Sequence, residues 1–167
     1  MKEIALTRGK VALVDDQDHD RLSRYSWYAS RSGGVWYAKT GIWDGRRTAQ
    51  IAMHRLLINA DAGQLIDHIN GNGLDNRRSN LRLCCKAQNQ QNQRARKNCS
   101  SRYKGVSFDA YTGRWRAKVK AYGRITDCGR FANEEDAARA YDAAAIKVHG
   151  RFARLNFPQE VTSHEAA

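Results

Sequence analysis

The chain has 167 residues, room for one ordinary domain or for two small ones with thin cores. A net charge of +12 predicts a polyanionic partner, with nucleic acid ahead of a membrane surface, because no basic stretch is hydrophobic enough to lie in a bilayer. No run approaches a membrane span, the first sixteen residues hold no apolar stretch of signal-peptide length, and the expected compartment is a reducing cytoplasm.

Residues 1–53 alternate as strands do. Residues 10–14 form a short apolar run, and residues 16–22 are polar enough for a short helix or a turn. Trp27-Tyr28 and Val35-Trp36-Tyr37 flank a Ser32-Gly33-Gly34 turn, and residues 48–53 make a further strand. Trp27, Trp36 and Trp43 are expected in the core of a small antiparallel sheet rather than on a base-stacking platform. His54 opens an apolar run and is expected to be a buried, hydrogen-bonded histidine. From Leu65-Ile66-Asp67-His68 the chain enters an Asn/Gly-rich loop over residues 70–80, then a strand at 81–85 and a polar helix within 86–96. Residues 94–102 have a linker's composition.

Residues 103–108, 114–121 and 124–131 read as three strands joined by turns at Thr112-Gly113 and Tyr122-Gly123. A helix follows, with Asn133 as N-cap, Glu134, Glu135 and Asp136 in its first turn, and Gly150 just past its end. Ala137, Ala140, Tyr141, Ala144, Ala145 and Val148 make its apolar face. Cys84, Cys85, Cys99 and Cys128 show no C-x-x-C spacing and are expected as free, partly buried thiols, with little to support structural zinc.

Two constellations carry chemistry. Asp67-His68 sets a hard oxygen ligand beside a base whose ordinary pKa lies near neutrality. Arg77 and Arg82 follow and are either phosphate clamps or surface charge. In the second half Arg114, Arg116, Lys118 and Lys120 share one face of a strand, while Trp115, Ala117 and Val119 take the other. With Lys104 they make a cationic surface suited to the major groove and to phosphates.

Asp67-His68-Ile69-Asn70-Gly71-Asn72, then Asp75-Asn76-Arg77, Ser79-Asn80-Leu81-Arg82 and Gln88-Asn89 resemble the HNH nucleases, especially those of phage and intron-borne homing elements. The resemblance covers residues 54–93 and implies a ββα-metal fold that grips one divalent ion, Mg²⁺ or Mn²⁺. It makes His68 the general base, neutral for the most part at pH 7, and Asp67 with Asn89 the metal ligands. Asn80 would hold the loop or orient His68. Cleavage would leave 5′-phosphate and 3′-hydroxyl ends.

Tyr103-Lys104-Gly105-Val106, Gly113-Arg114-Trp115, Gly129-Arg130-Phe131, the helix from Glu135 to Ala145 and Leu155-Asn156-Phe157 resemble the AP2 domain. That family lays its sheet in the major groove. Ser107, Asp109 and Asp127 depart from the arginines and tryptophan common there, so the plant target sequence does not carry over. The expectation is an α+β protein. A small N-terminal antiparallel sheet leads into a ββα-metal nuclease over residues 1–97. A three-stranded antiparallel sheet on one helix follows over 98–158, with a tail at 159–167. Its expected activity is that of a monomeric, metal-dependent endonuclease on double-stranded DNA. The rival is a DNA-binding regulator with a decayed nuclease half.

Overall fold

A computed structural model of the chain describes residues 1–61, 63–95 and 99–158. Residues 96–98 of the expected linker and the expected tail at 159–167 lie outside the described residues. The architecture is α+β, with small antiparallel sheets and few helices, and it divides into two compact units, Met1–Cys85 and Lys86–Ala167.

In the first unit β1 (Lys2–Ala5) pairs antiparallel with β2 (Val11–Val14), and α1 (Asp16–Leu22) follows. β3 (Tyr28–Ser32), β4 (Val35–Trp43) and β5 (Thr48–Ala52) form an antiparallel meander. Then come α2 (Met53–Ile58) and a hairpin of β6 (Leu65–His68) and β7 (Leu81–Cys84). Ala12, Val14, Leu22, Trp27, Ala38, Met53 and Leu57 join these elements in one core. Trp27 is buried and donates its indole N–H to the Leu22 carbonyl at 2.8 Å. The core expectation fails for Trp43, which is 65% exposed at the far end of β4.

The expected strand alternation over residues 1–53 does not single out β1, and α2 has no helical pattern in the sequence. Among the four residues of β1 only Ile4 is buried, so there is no alternation to see. The six residues of α2 are too few to display a helical period, and Asn59 in the left-handed region (φ 50°) ends it.

The second unit opens with α3 (Lys86–Gln91), shorter than the polar helix expected within 86–96. β8 (Val106–Asp109), β9 (Arg114–Ala121) and β10 (Arg124–Phe131) form a sheet ordered β10-β9-β8, and α4 (Glu134–His149) packs on it. Val106, Ala117 and Val119 meet Ala137, Ala138, Tyr141 and Ala145. The alanines allow close approach, and Gly105 takes it furthest. At φ +77° a Cβ there would stand 2.0 Å from the Tyr141 ring.

Two details of α4 differ from expectation. Asn133 sits at the N-cap without a side-chain bond to the backbone, and its amide donates to Asp136 at 3.2 Å. The buried face includes Ala138 and Asp142, while Val148 is 37% exposed. Asp142 turns inward because its carboxylate accepts the backbone N–H of Asn156 at 2.9 Å and of Phe157 at 2.8 Å, with the Asn156 amide at 3.0 Å. The segment after the helix is thereby fastened to it. All four cysteines are free, Cys85 and Cys99 being exposed and Cys84 and Cys128 half-buried.

Candidate active site

β6 ends on Asp67 and His68, each only 6% exposed, with Arg82 and Leu81 opposite them on β7. The loop between the strands is polar, and its side chains replace the hydrogen bonds that a regular element would supply. Asn70 Oδ1 accepts the Asn72 N–H at 2.8 Å and the Asn80 amide at 3.1 Å. Asn80 Oδ1 accepts the Asn70 N–H at 3.0 Å, and its amide also donates to the Asp75 carbonyl at 2.8 Å. Among the described residues the printed bonds of the Asn80 side chain all run to this loop.

Asp75 is 2% exposed and takes Arg77 at 2.6 and 2.7 Å and the Asn70 amide at 2.8 Å. The Arg77 guanidinium above all holds the Asp75 carboxyl below the usual carboxylate range. The loop is also pinned to the N-terminal strands. Leu13 N–H donates to the Leu74 carbonyl and Asn76 N–H to the Leu13 carbonyl, both at 2.8 Å. Arg78 reaches Asp18 at 2.7 and 2.8 Å. At Gly73 the loop lies so close to β4 that a Cβ would stand 2.5 Å from the Trp36 carbonyl and 2.6 Å from the Tyr37 ring.

His68 is set within this frame. Its Nε2 faces Oδ1 of the buried Asn76 at 3.5 Å. An amide oxygen accepts and a ring N–H donates, so this contact is compatible with a proton on Nε2. Asn76 therefore orients His68, a role the sequence did not assign to it. Burial pushes the His68 pKa below its ordinary value, opposed by Asn76, Asp67 and Asp75.

The His54 ring stands edge-on to His68, centroids 5.0 Å apart at 89°, and Tyr37 lies 5.9 Å from His54 and 6.0 Å from His68. Burial, then the nearby His68, Arg55 and Lys39, push His54 down to about 3. Among the described residues its Nδ1 is buried with no hydrogen-bond partner, and the ring packs edge-on against the candidate base. Nothing in the residues around His54 signals this, because it lies fourteen positions from His68 and on a different element, α2 as against β6.

Asp67 Oδ2 receives Arg82 Nε at 2.9 Å and Nη2 at 2.6 Å. The two arginines considered as phosphate clamps, Arg77 and Arg82, are thus both joined to carboxylates. Among the described residues no three His, Cys, Asp or Glu side chains gather as a metal cluster. Asn89 lies on α3. The carboxylate oxygens of Asp67 are hard donors of the kind that suits Mg²⁺.

In the second unit Arg114, Arg116, Lys118 and Lys120 do share the open face of β9, opposite Trp115, Ala117 and Val119. Lys104 does not join them. Its Nζ turns to the Gln91 carbonyl, and burial, then Arg154, lowers its pKa to about 8. Arg116 Nε donates to Asp127 at 2.9 Å, and Arg130 Nε to Asp109 at 3.2 Å. The acidic residues that depart from the AP2 pattern are therefore partners of arginines. Arg130, absent from the expected cationic face, stands opposite Arg116 in register. Among the described residues, Arg114, Lys118 and Lys120 form no ion pair.

Residues 53–91 match the family described as HNH endonuclease. An uncharacterised HNH endonuclease of Acanthamoeba polyphaga mimivirus is 31% identical over 149 residues, covering 89% of this chain and 76% of the viral protein. The chain belongs to the HNH endonuclease family. The matched segment holds His54, the β6–β7 hairpin, the polar loop and α3. The chain also shares a short stretch with plant proteins. It is 47% identical over 58 residues to APETALA2-like protein 2 of rice, Oryza sativa subsp. indica, which is 35% of this chain and 13% of the plant protein. An AP2-like ethylene-responsive transcription factor of Arabidopsis thaliana is 45% identical over 58 residues, 12% of its own length. The chain thus spans little more than a tenth of those plant relatives.

Proposed function

We propose that the chain is a metal-dependent endonuclease that hydrolyses phosphodiester bonds of double-stranded DNA, with an AP2-like module that binds the duplex. The observation that carries this reading is the setting of His68. Its imidazole is buried at the end of β6 next to Asp67, with Asn76 Oδ1 3.5 Å from Nε2. His68 takes the proton from the attacking water. Asn76 holds the ring, Asn80 and Asp75 hold the loop, and His54 and Tyr37 keep water from the far side of the imidazole. Asp67 and Asn89, the latter on the sequence motif alone, hold one divalent ion, Mg²⁺ or Mn²⁺. Such an ion supplies charge neutralisation at the scissile phosphate.

The functional division follows the motifs, nuclease over 1–97 in a ββα-metal arrangement and DNA binding over 98–158. The open cations Arg114, Lys118 and Lys120 serve phosphates. Arg116 and Arg130, each aimed by an aspartate, are placed to read base edges. The protein acts as a monomer. No helix among the described residues is long and apolar enough to cross a membrane.

The test is a plasmid cleavage assay with Mg²⁺ or Mn²⁺, with EDTA, and with His68→Ala. Nicked or linear product should form with the metal and vanish in EDTA. His68→Ala should cut about 10²–10⁴-fold more slowly while binding DNA as the parent does. Binding without cutting under every metal condition would support the decayed regulator instead.

A further inference from the structure

Three cations of the first unit converge on one indole. Lys10 Nζ lies 5.1 Å from the Trp36 ring centroid, the Arg8 guanidinium carbon 5.7 Å and that of Arg31 5.8 Å. Their elements hold them in place. Arg31 stands opposite Trp36 in the β3–β4 register. Arg8 belongs to the 3-10 turn Thr7–Gly9, closed by the Leu6 N–H to the Lys10 carbonyl at 2.8 Å and fastened to β3 by the Ala29 N–H to Thr7 Oγ1 at 3.0 Å. Arg8 itself sits at φ 63°, in the left-handed region that a non-glycine residue rarely adopts.

The cluster differs from the other arginines near the candidate site. Arg77, Arg78 and Arg82 end on Asp75, Asp18 and Asp67. Arg8, Lys10 and Arg31 have no ion-pair partner among the described residues, and both arginines are exposed. The indole face offsets part of their mutual repulsion, but like charges held this close favour an anion that can meet all of them. Trp36 is half-buried against the core, so its ring serves as a floor for the cations and not as a platform for a base. Position points to the same partner. Trp36 and Tyr37 are neighbours on β4: the first carries the cations, and the second packs against His54 and His68. The Trp36 carbonyl also abuts Gly73 of the His68 loop.

We propose that Arg8, Lys10 and Arg31 around Trp36 form a phosphate-binding surface for duplex DNA that belongs to the nuclease unit itself. It holds the backbone near the cutting centre independently of the cations on β9. A duplex presents one phosphate charge per about 1.7 Å of axis, so a rigid group of three cations can engage adjacent phosphates together. The inference rests on the reading of the chain as a protein that acts on DNA.

The experiment is a salt titration of binding by the full chain to a labelled duplex, for the parent and for Arg8→Gln/Lys10→Gln/Arg31→Gln, with thermal melting alongside. The plot of log affinity against log salt should flatten by about two to three units, near 0.9 for each phosphate no longer neutralised. The loss should add to that of Lys118→Gln/Lys120→Gln. An unchanged slope in a folded triple variant overturns the proposal. If the triple variant does not fold, Arg31→Gln should still flatten the slope by about one unit while Arg31→Lys leaves it alone. Equal behaviour of those two also overturns it. Because the readout is binding, a protein that fails to cut refutes the nuclease reading and leaves this surface to stand or fall by its slope.

Discussion

Around the β6–β7 hairpin each arginine meets a carboxylate: Arg77 meets Asp75, Arg78 meets Asp18 and Arg82 meets Asp67. On β9, among the described residues, only Arg116 does so; Arg114 and Lys120 are exposed and Lys118 is half-buried, none of them in an ion pair. The two regions put similar residues to different tasks. Around the hairpin, charge is matched internally, which fixes the geometry of a buried imidazole. On the sheet, charge is left over, which suits a polyanion whose detailed docking varies.

That contrast can be broken first at Asp75. It is buried and receives three side-chain hydrogen bonds, so Asp75→Ala should destabilise the fold by roughly 3 kcal/mol, as removing one partner of a buried charged pair does. Lys118→Gln, on an open face, should shift stability by no more than about 0.5 kcal/mol. Urea unfolding of the two variants checks both numbers. A similar small shift for each would mean that the loop pairs are ordinary surface charges.

A second break uses pH. His54 has its folded-state pKa depressed to about 3 from the ordinary 6.5. The unfolded chain therefore binds a proton between those values that the folded chain refuses. The stabilising contribution is complete above pH 6.5 and is lost as pH falls toward 3, with the folding constant dropping by up to about tenfold per pH unit. His68 and His149, also depressed by burial, add in the same sense. His54→Leu should make stability between about pH 6.5 and 5 less steep, read from denaturant midpoints at several pH values. A variant as steep as the parent would show that the ring is solvated.

The smallest expected effect sharpens the comparison at the sheet. Lys118→Gln/Lys120→Gln should flatten the salt dependence of DNA binding by about two units, roughly 0.9 for each phosphate. Lys104→Gln should change it less, because that side chain is turned to the Gln91 carbonyl. Equal effects of the two changes would place Lys104 on the binding face after all.

What the sequence discloses follows from how local each signal is. The strands of the second sheet were legible from period-two alternation, and α4 from its acidic first turn and the glycine beyond its end. For Asn80 the family resemblance offered two roles, holding the loop or orienting His68, and its bonds to Asn70 run within the eleven residues from Asn70 to Asn80. The support for His68 was not legible. His54 and Tyr37 reach it from other elements, and Asn76 reads as one more loop asparagine until Leu13 fixes its backbone. The pairing of Asp109 with Arg130 was hidden in the same way. On sequence an aspartate at that position looks like a missing phosphate or base reader, and only the strand order β10-β9-β8 brings the two together.

Asp142 sets the length at which the second unit can be used as a portable part. Its carboxylate, only 5% exposed, is met by donors from Asn156 and Phe157. A truncation at Leu155 would remove all of those donors at once and would also take away the Asn156 side chain that accepts the Lys104 N–H at 2.8 Å. The shortest transplantable sequence therefore ends no earlier than Phe157. Anyone grafting this sheet and helix onto another protein should join the new partner beyond that residue.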